Sequence, residues 1–147
     1  MEEYYNPPLI AALVSWLIAQ LIKTMYHIIR YRKISWERLL GSGGMPSSHS
    51  AAVCALCAVV ARMGGVASLW FSLASMFALV TMYDALGVRR AAGRHAREIN
   101  LLKRRFDADG MKQSQKELKE LLGHTPLEVL CGLILGIGVG TMFPLQL

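Results

Sequence analysis

The chain is expected to be all-α: an integral membrane bundle of about four membrane segments, with a basic amphipathic helical connection between the third and the fourth. Three observations predict this. Four long apolar stretches fit within 147 residues; the hydrophobic share is 54% although the formal net charge is +6; and the charges are gathered into two connections between the stretches. A soluble domain of this length rarely combines that much apolar character with that much charge. The length allows a single domain, 1–147, embedded in the membrane.

The first apolar segment runs from Pro8 to Ile22, and to Ile29 if Lys23 lies at the interface. Crossing a bilayer takes about 20 apolar residues, roughly 17–25. Met1-Glu2-Glu3 is acidic where a secretory signal would be basic, and no small-residue cleavage site follows, so the segment is expected to be retained. The second segment, Pro46 to Ala61, is short and broken only by Ser and His, which suits a partial or tilted span. The third, Val66 to Tyr83, carries no charge and is closed by Asp84.

The polar stretch from Gly87 to Gly123 comes next. Arg94 to Arg105, followed by Phe106, sets Ile99, Leu101 and Leu102 among Arg and Lys, as an interfacial basic helix does. Asp107-Ala108-Asp109-Gly110 reads as a turn, and Met111 to Leu122 as a second amphipathic helix. The fourth segment, Pro126 to Leu147, has Glu128 as its one charge. Gly132, Gly136 and Gly140 recur on one of its faces, the spacing that lets membrane helices approach closely. That face can pack within the chain or pair two chains as a homodimer.

Four spans put the 23–45 and 87–124 connections on one side, and these hold every Lys and Arg except Arg62. The positive-inside rule turns that side to the cytoplasm, of a bacterial-type plasma membrane. Other classes fall away on the same residues. With Gly110 at position six of a calcium loop, Arg105 and Lys116 would stand where carboxylates are needed. Cys54-Ala55-Leu56-Cys57 lies in an apolar helix without the context of a redox site, so buried free thiols are expected. A basic stretch interleaved with aliphatics and flanked by spans reads as membrane-facing rather than nucleic-acid-binding.

Two motifs carry chemistry, their histidines 75 residues apart and each at the mouth of an apolar segment. In Gly43-Gly44-Met45-Pro46-Ser47-Ser48-His49-Ser50, Pro46 suits the first turn of a helix. The amides of Ser47, Ser48 and His49 would then face an anion along the helix dipole. Ser47 and Ser48 add hydroxyls, and His49 can protonate a leaving oxygen near neutral pH. In His124-Thr125-Pro126-Leu127-Glu128, Thr125 and Glu128 fit a capping box. Glu128 is also four residues from His124, where its carboxylate could take a ring proton and leave the other nitrogen as nucleophile. These two uses compete for one side chain. Lys23, Arg30, Arg32, Lys33 and Arg38 after the first segment, and Arg89, Arg90, Arg94 and Arg97 after the third, are the candidate phosphate cations, and Asp84 can pair with Arg89, Arg90 or Lys23. No Asp or His cluster has metal-ligand spacing.

These residues resemble the type 2 phosphatidic acid phosphatase superfamily, which also includes the vanadium haloperoxidases. Its motifs are Lys-x6-Arg-Pro, Pro-Ser-Gly-His and Ser-Arg-x5-His-x3-Asp. Here Lys23 and Arg30 keep the first spacing with Tyr31 for proline, and Pro46-Ser47-Ser48-His49 matches the second with serine for glycine. His124-x3-Glu128 matches the end of the third, whose Ser and Arg positions are taken by Glu117 and Leu118. Gly-Gly-Met-Pro-Ser-Ser-His-Ser, Tyr-Asp-Ala-x-Gly-Val-Arg-Arg and Leu-Leu-Gly-His-Thr-Pro-x-Glu-Val together look like the small divergent branch, across nearly the whole chain.

The resemblance implies His124 as nucleophile, Glu128 as its orienting carboxylate and His49 as general acid. It implies Ser47, Ser48, Lys23 and Arg30 as phosphate ligands, with no metal and no cofactor. Arg89 or Arg90, held by Asp84, is expected to replace the missing motif-three arginine. The function that follows is a metal-independent membrane phosphatase for a lipid-linked phosphate or diphosphate, working through a phosphohistidine. The alternatives are a non-catalytic protein that binds or moves a lipid phosphate, and a small helical subunit whose histidines are structural.

Overall fold

The computed structural model describes residues 5–32, 44–108, 117–118 and 122–145. These form helices α1 (Pro7–Tyr31), α2 (Ser48–Gly64), α3 (Leu69–Leu86), α4 (Val88–Ala108) and α5 (Pro126–Met142), with no strand among them. Local sequence sets the helix starts. Asn6, Ser47 and Ser68 each lend a side-chain oxygen to a first-turn N–H, and prolines open α1 and α5 where a missing N–H costs nothing.

Packing is inside out relative to a soluble bundle. Leu13, Leu17 and Leu21 on α1, and Trp70, Leu73, Phe77 and Val80 on α3, are exposed. The interior is small: Ala11, Ser15, Ala19, Ala51, Ala55, Ala74, Ala78 and Ala85 are buried. Apolar exteriors this extensive face lipid, and small residues let membrane helices approach where no hydrophobic force drives them together. Ser15 adds a hydrogen bond across that interior, donating to the carbonyl of Ala51 at 3.0 Å.

The span lengths differ from expectation. Pro7–Ile29 and the stretch from Leu69 into α4 are long and apolar enough to cross a membrane, whereas α2 and α5 have 17 residues each. Seventeen residues cover about 26 Å, a little less than a hydrocarbon core of about 30 Å. The fourth segment, expected to run to Leu147, stops at Met142. Phe143 turns extended, and Pro144 follows with no N–H to continue a ladder. Arg62 serves this end, its Nη1 donating to the carbonyls of Gly140 (2.9 Å) and Phe143 (2.6 Å). That explains the lone cation on its side: it satisfies carbonyls a helix terminus leaves open.

The connection after α3 is also shorter than the sequence suggests. Gly87 takes φ −98°, ψ −86°, yet Gly87 N–H still reaches the Tyr83 carbonyl and Ala91 N–H the Gly87 carbonyl. The basic helix therefore starts at Val88 rather than near Arg94. The second amphipathic helix expected over Met111–Leu122 lies mostly outside the described residues, and Glu117, Leu118 and Leu122, which lie within them, are not helical.

The contact that organises the bundle is between α2 and α5. A Cβ on Gly132 would collide with the Ser47 carbonyl, one on Gly136 with that of Ala51, and one on Gly140 with that of Ala55. Both partners advance by four residues together, so the two helices run parallel with their N-termini side by side. The glycine face is thus filled by α2 of the same chain. Gly138 differs: a Cβ there would meet nothing within 4 Å.

Gly136→Ala is expected to destabilise by about 1–3 kcal/mol, the cost of overpacking a close contact. Gly138→Ala should be neutral or gain up to about 1 kcal/mol of helix propensity. Thermal unfolding of the two variants in the same detergent checks this, and equal effects would mean that the α2–α5 contact is not the tight one.

Candidate functional site

Two parallel helix N-termini lying together present two sets of first-turn amides and two positive dipole ends to one point. The Ser47 N–H donates to the Glu128 carbonyl at 2.9 Å and fastens the start of α2 to the first turn of α5. This corrects two expectations. Pro46 precedes the cap rather than opening the helix, and the Ser47 amide is committed to Glu128 instead of facing an anion. The Ser47 hydroxyl is committed too: it receives the Ser50 hydroxyl at 3.0 Å and the Ser50 N–H at 3.4 Å, and the residue is fully buried. Ser47 is a cap. The N–H groups of Ser48 and His49, at the first two helical positions, are those that helix geometry leaves outside the ladder.

Lys23 reaches this point from α1. It is 8% exposed, and its ammonium donates to the Ser48 hydroxyl at 3.2 Å. A buried lysine at a helix N-terminus, where it faces a like partial charge, is costly unless an anion shares the site. Arg30 stands seven residues further along α1, and its side chain lies outside the described residues.

His124 is 3% exposed. Its N–H donates to the Ala85 carbonyl at the end of α3 (3.1 Å), and its Nδ1 lies 3.3 Å from Glu128 Oε2. The same Oε2 accepts the Thr125 N–H at 2.8 Å, while Thr125 Oγ1 accepts the Glu128 N–H at 3.4 Å. The capping box and the ring contact, which compete on paper, are met by one oxygen. Glutamate, one methylene longer than the superfamily's aspartate, is the residue that caps from N3 in this way. With Nδ1–H directed at the carboxylate, Nε2 carries the lone pair, and it is buried without a partner among the described residues. Burial pushes the imidazole below its ordinary 6.5, while the hydrogen bond and charge of Glu128 act the other way.

His49 is exposed on the first turn of α2, within electrostatic reach of Lys23, Arg89, Asp84 and His124. Arg89 Nε and Asp84 Oδ2 are 2.5 Å apart. Arg90 contributes differently: its side chain is exposed, and its backbone lies against Gly123. Gly123 has φ +82°, and a Cβ there would strike the Arg90 amide. Only glycine allows the chain both that turn and that approach just before His124. Among the described residues, no three His, Cys, Asp or Glu side chains are gathered as a metal site requires.

Sequence reasoning missed Asn100. This α4 residue is 1% exposed, donating from Nδ2 to the Leu118 carbonyl (2.9 Å) and accepting the Leu118 N–H at Oδ1 (3.0 Å). Arg104 pairs with Glu117 beside it. Leu118 is thereby pinned to α4 at Asn100, and Gly123 lies against it at Arg90. The available signal was the spacing of Gly93, Ala96 and Asn100, a small and polar stripe that is buried in an otherwise exposed basic helix.

Asn100→Ala removes both bonds and is expected to speed hydrogen exchange at the Leu118 amide at least tenfold, equivalent to about 1.4 kcal/mol or more. Unchanged exchange would mean that the clamp does not hold this segment. The His124 ring is expected to titrate below 6.5, so that it is neutral at pH 7. Because Glu128 raises that value, Glu128→Gln should lower it further; a rise on ring-proton NMR titration would contradict the assigned contact.

A model of the Divergent PAP2 family matches residues 4–139. The uncharacterized membrane protein YuiD of Bacillus subtilis (strain 168) is 44% identical, with 93% of this chain and 93% of that protein aligned. No solved structure matches. The family's match extends across both helix N-termini and the segment that delivers His124, and the relative is itself a membrane protein. This chain is a helical membrane protein and belongs to the divergent PAP2 family.

Proposed function

We propose that the chain is a metal-independent phosphatase for a lipid-linked phosphate or diphosphate, acting through a phosphohistidine on His124. The observation that carries this reading is the state of Nε2: a lone pair held inside the protein at the head of two helices, with Nδ1 fixed by a carboxylate. In the first step Nε2 attacks phosphorus and the bond to the lipid oxygen breaks, while His49 gives that oxygen its proton. In the second, water attacks phosphorus as His49 takes its proton, and the N–P bond breaks, releasing phosphate and returning the lone pair to Nε2. Lys23, the N–H groups of Ser48 and His49, and the Ser48 hydroxyl hold phosphate oxygens. Arg89, positioned by Asp84, stands for the missing motif-three arginine. The site is assigned to the cytoplasmic side of a bacterial-type plasma membrane, a reading supported by the gathering of Lys and Arg on its side of the spans.

One observation favours a second reading. Nε2 lies under cover, so phosphate reaches it only when neighbouring groups move aside, and a protein that binds lipid phosphate without turnover needs no such opening.

Phosphate release by protein in nanodiscs, from phosphatidate, phosphatidylglycerophosphate and a polyprenyl diphosphate, separates the two. Release is expected from at least one, falling to background with His124→Ala and by about 100-fold or more with His49→Ala, as for loss of a general acid. Arg89→Ala should cost more than Arg90→Ala. Binding without release from any of the three would establish the second reading.

A further inference from the structure

An apolar groove of about 610 Å³ runs between α1 and α5. Val14 and Ile18 form one wall, and Leu135, Gly138, Met142 and Phe143 line the other side. It opens onto the lipid-facing exterior, where Leu13, Leu17 and Ile134 are exposed. Two features set it apart from an ordinary crevice between membrane helices.

The first is its register with the site. Glu128, Cys131, Leu135, Gly138 and Met142 follow one another at three- and four-residue steps, so they form a single stripe along α5. The carboxylate that holds His124 is at the top of this stripe, and the groove floor begins about two turns below it, roughly 10 Å along the axis. The second is Gly138. Glycine in a helix interior is destabilising relative to alanine. Gly132, Gly136 and Gly140 offset that cost by close contact with α2, but Gly138 touches nothing that would exclude a Cβ. What its missing side chain does is deepen the groove.

We propose that this groove seats the hydrocarbon tail of the lipid whose phosphate occupies the His124 site. The inference rests on the lipid-phosphate reading and narrows it. The substrate has an unbranched or isoprenoid chain that descends along the Glu128–Met142 stripe, between α1 and α5, while its phosphate stays at the paired helix N-termini. Selection among lipids then lies in α1 and α5 residues that take no part in the chemistry. Gly138 and Val14 set the width, and Met142 and Phe143 set the depth.

The test is photolabelling in phosphatidylcholine vesicles with a hexadecyl phosphonate carrying a mid-chain diazirine, which binds as a phosphate analogue but cannot be hydrolysed. Adducts are expected on α5 between Ile134 and Met142 and on Val14 or Ile18, reduced at least fivefold by excess unlabelled hexadecyl phosphonate. Gly138→Leu, which fills open space, should reduce them as strongly. Hexadecanol bearing the same diazirine should label these positions no more than it labels Leu73 or Phe77 on α3. Labelling spread evenly over α3 and α5, labelling that competitor leaves unchanged, equal labelling by the alcohol, or absence of labelling overturns the proposal. Because the probe reports occupancy, focused labelling by a protein that releases no phosphate would keep the groove and overturn only the hydrolysis. Phosphate release with dispersed labelling would do the reverse.

Discussion

The structure depends on how closely α5 lies against α2. Three glycines at four-residue intervals meet three backbone carbonyls at the same interval, which fixes the helices as parallel and fixes their relative height. Everything at the site follows from that height. Had the partners slipped by one glycine step, about 6 Å, the Ser47 amide could not reach the Glu128 carbonyl, and Glu128 and His124 would leave the level of Lys23 and His49. Parallel neighbours also set two positive dipole ends together, an arrangement that repels itself and is relieved by negative charge. Glu128 supplies part of that charge from within. A bound phosphate would supply the rest.

Glu128 carries several obligations at once. One carboxylate oxygen caps α5 through the Thr125 amide and lies against His124 Nδ1, while the backbone carbonyl of the same residue receives the Ser47 amide. Helix start, ring orientation and helix pairing are therefore coupled. His124 is fixed from further sides, by the Ala85 carbonyl and by Gly123 lying on Arg90. Holding a ring nitrogen in one tautomer and one direction is what a nucleophile requires, since reaction rates depend steeply on alignment.

Much of this was legible in the sequence. Apolar runs and the sorting of charge give the membrane bundle, and the Thr125/Glu128 capping box marks the start of α5. The histidines, Glu128 and the Asp84–Arg89 pair are recognisable as candidates because each sits near a helix end, where polar groups in a membrane protein are tolerated, and Lys23 because it interrupts an apolar run. What was not legible is contact between distant segments. Ser47 looks like an anion ligand until its hydroxyl and amide are seen to be taken by Ser50 and Glu128. Asn100 looks like a surface residue of a basic helix until Leu118 is found in its amide. The glycine stripe is equally suited to a second chain until Ala51 and Ala55 are seen beneath it. Spacing reports which face a residue occupies, and only the fold reports what lies against that face.

The most direct test of the central claim is to look for the covalent intermediate itself. Protein mixed briefly with a ³²P-labelled lipid phosphate, denatured in alkali and digested, should yield acid-labile, base-stable label on the peptide containing His124, absent from His124→Ala. Label on another residue, or turnover with no label on His124 at any time point, would contradict the account.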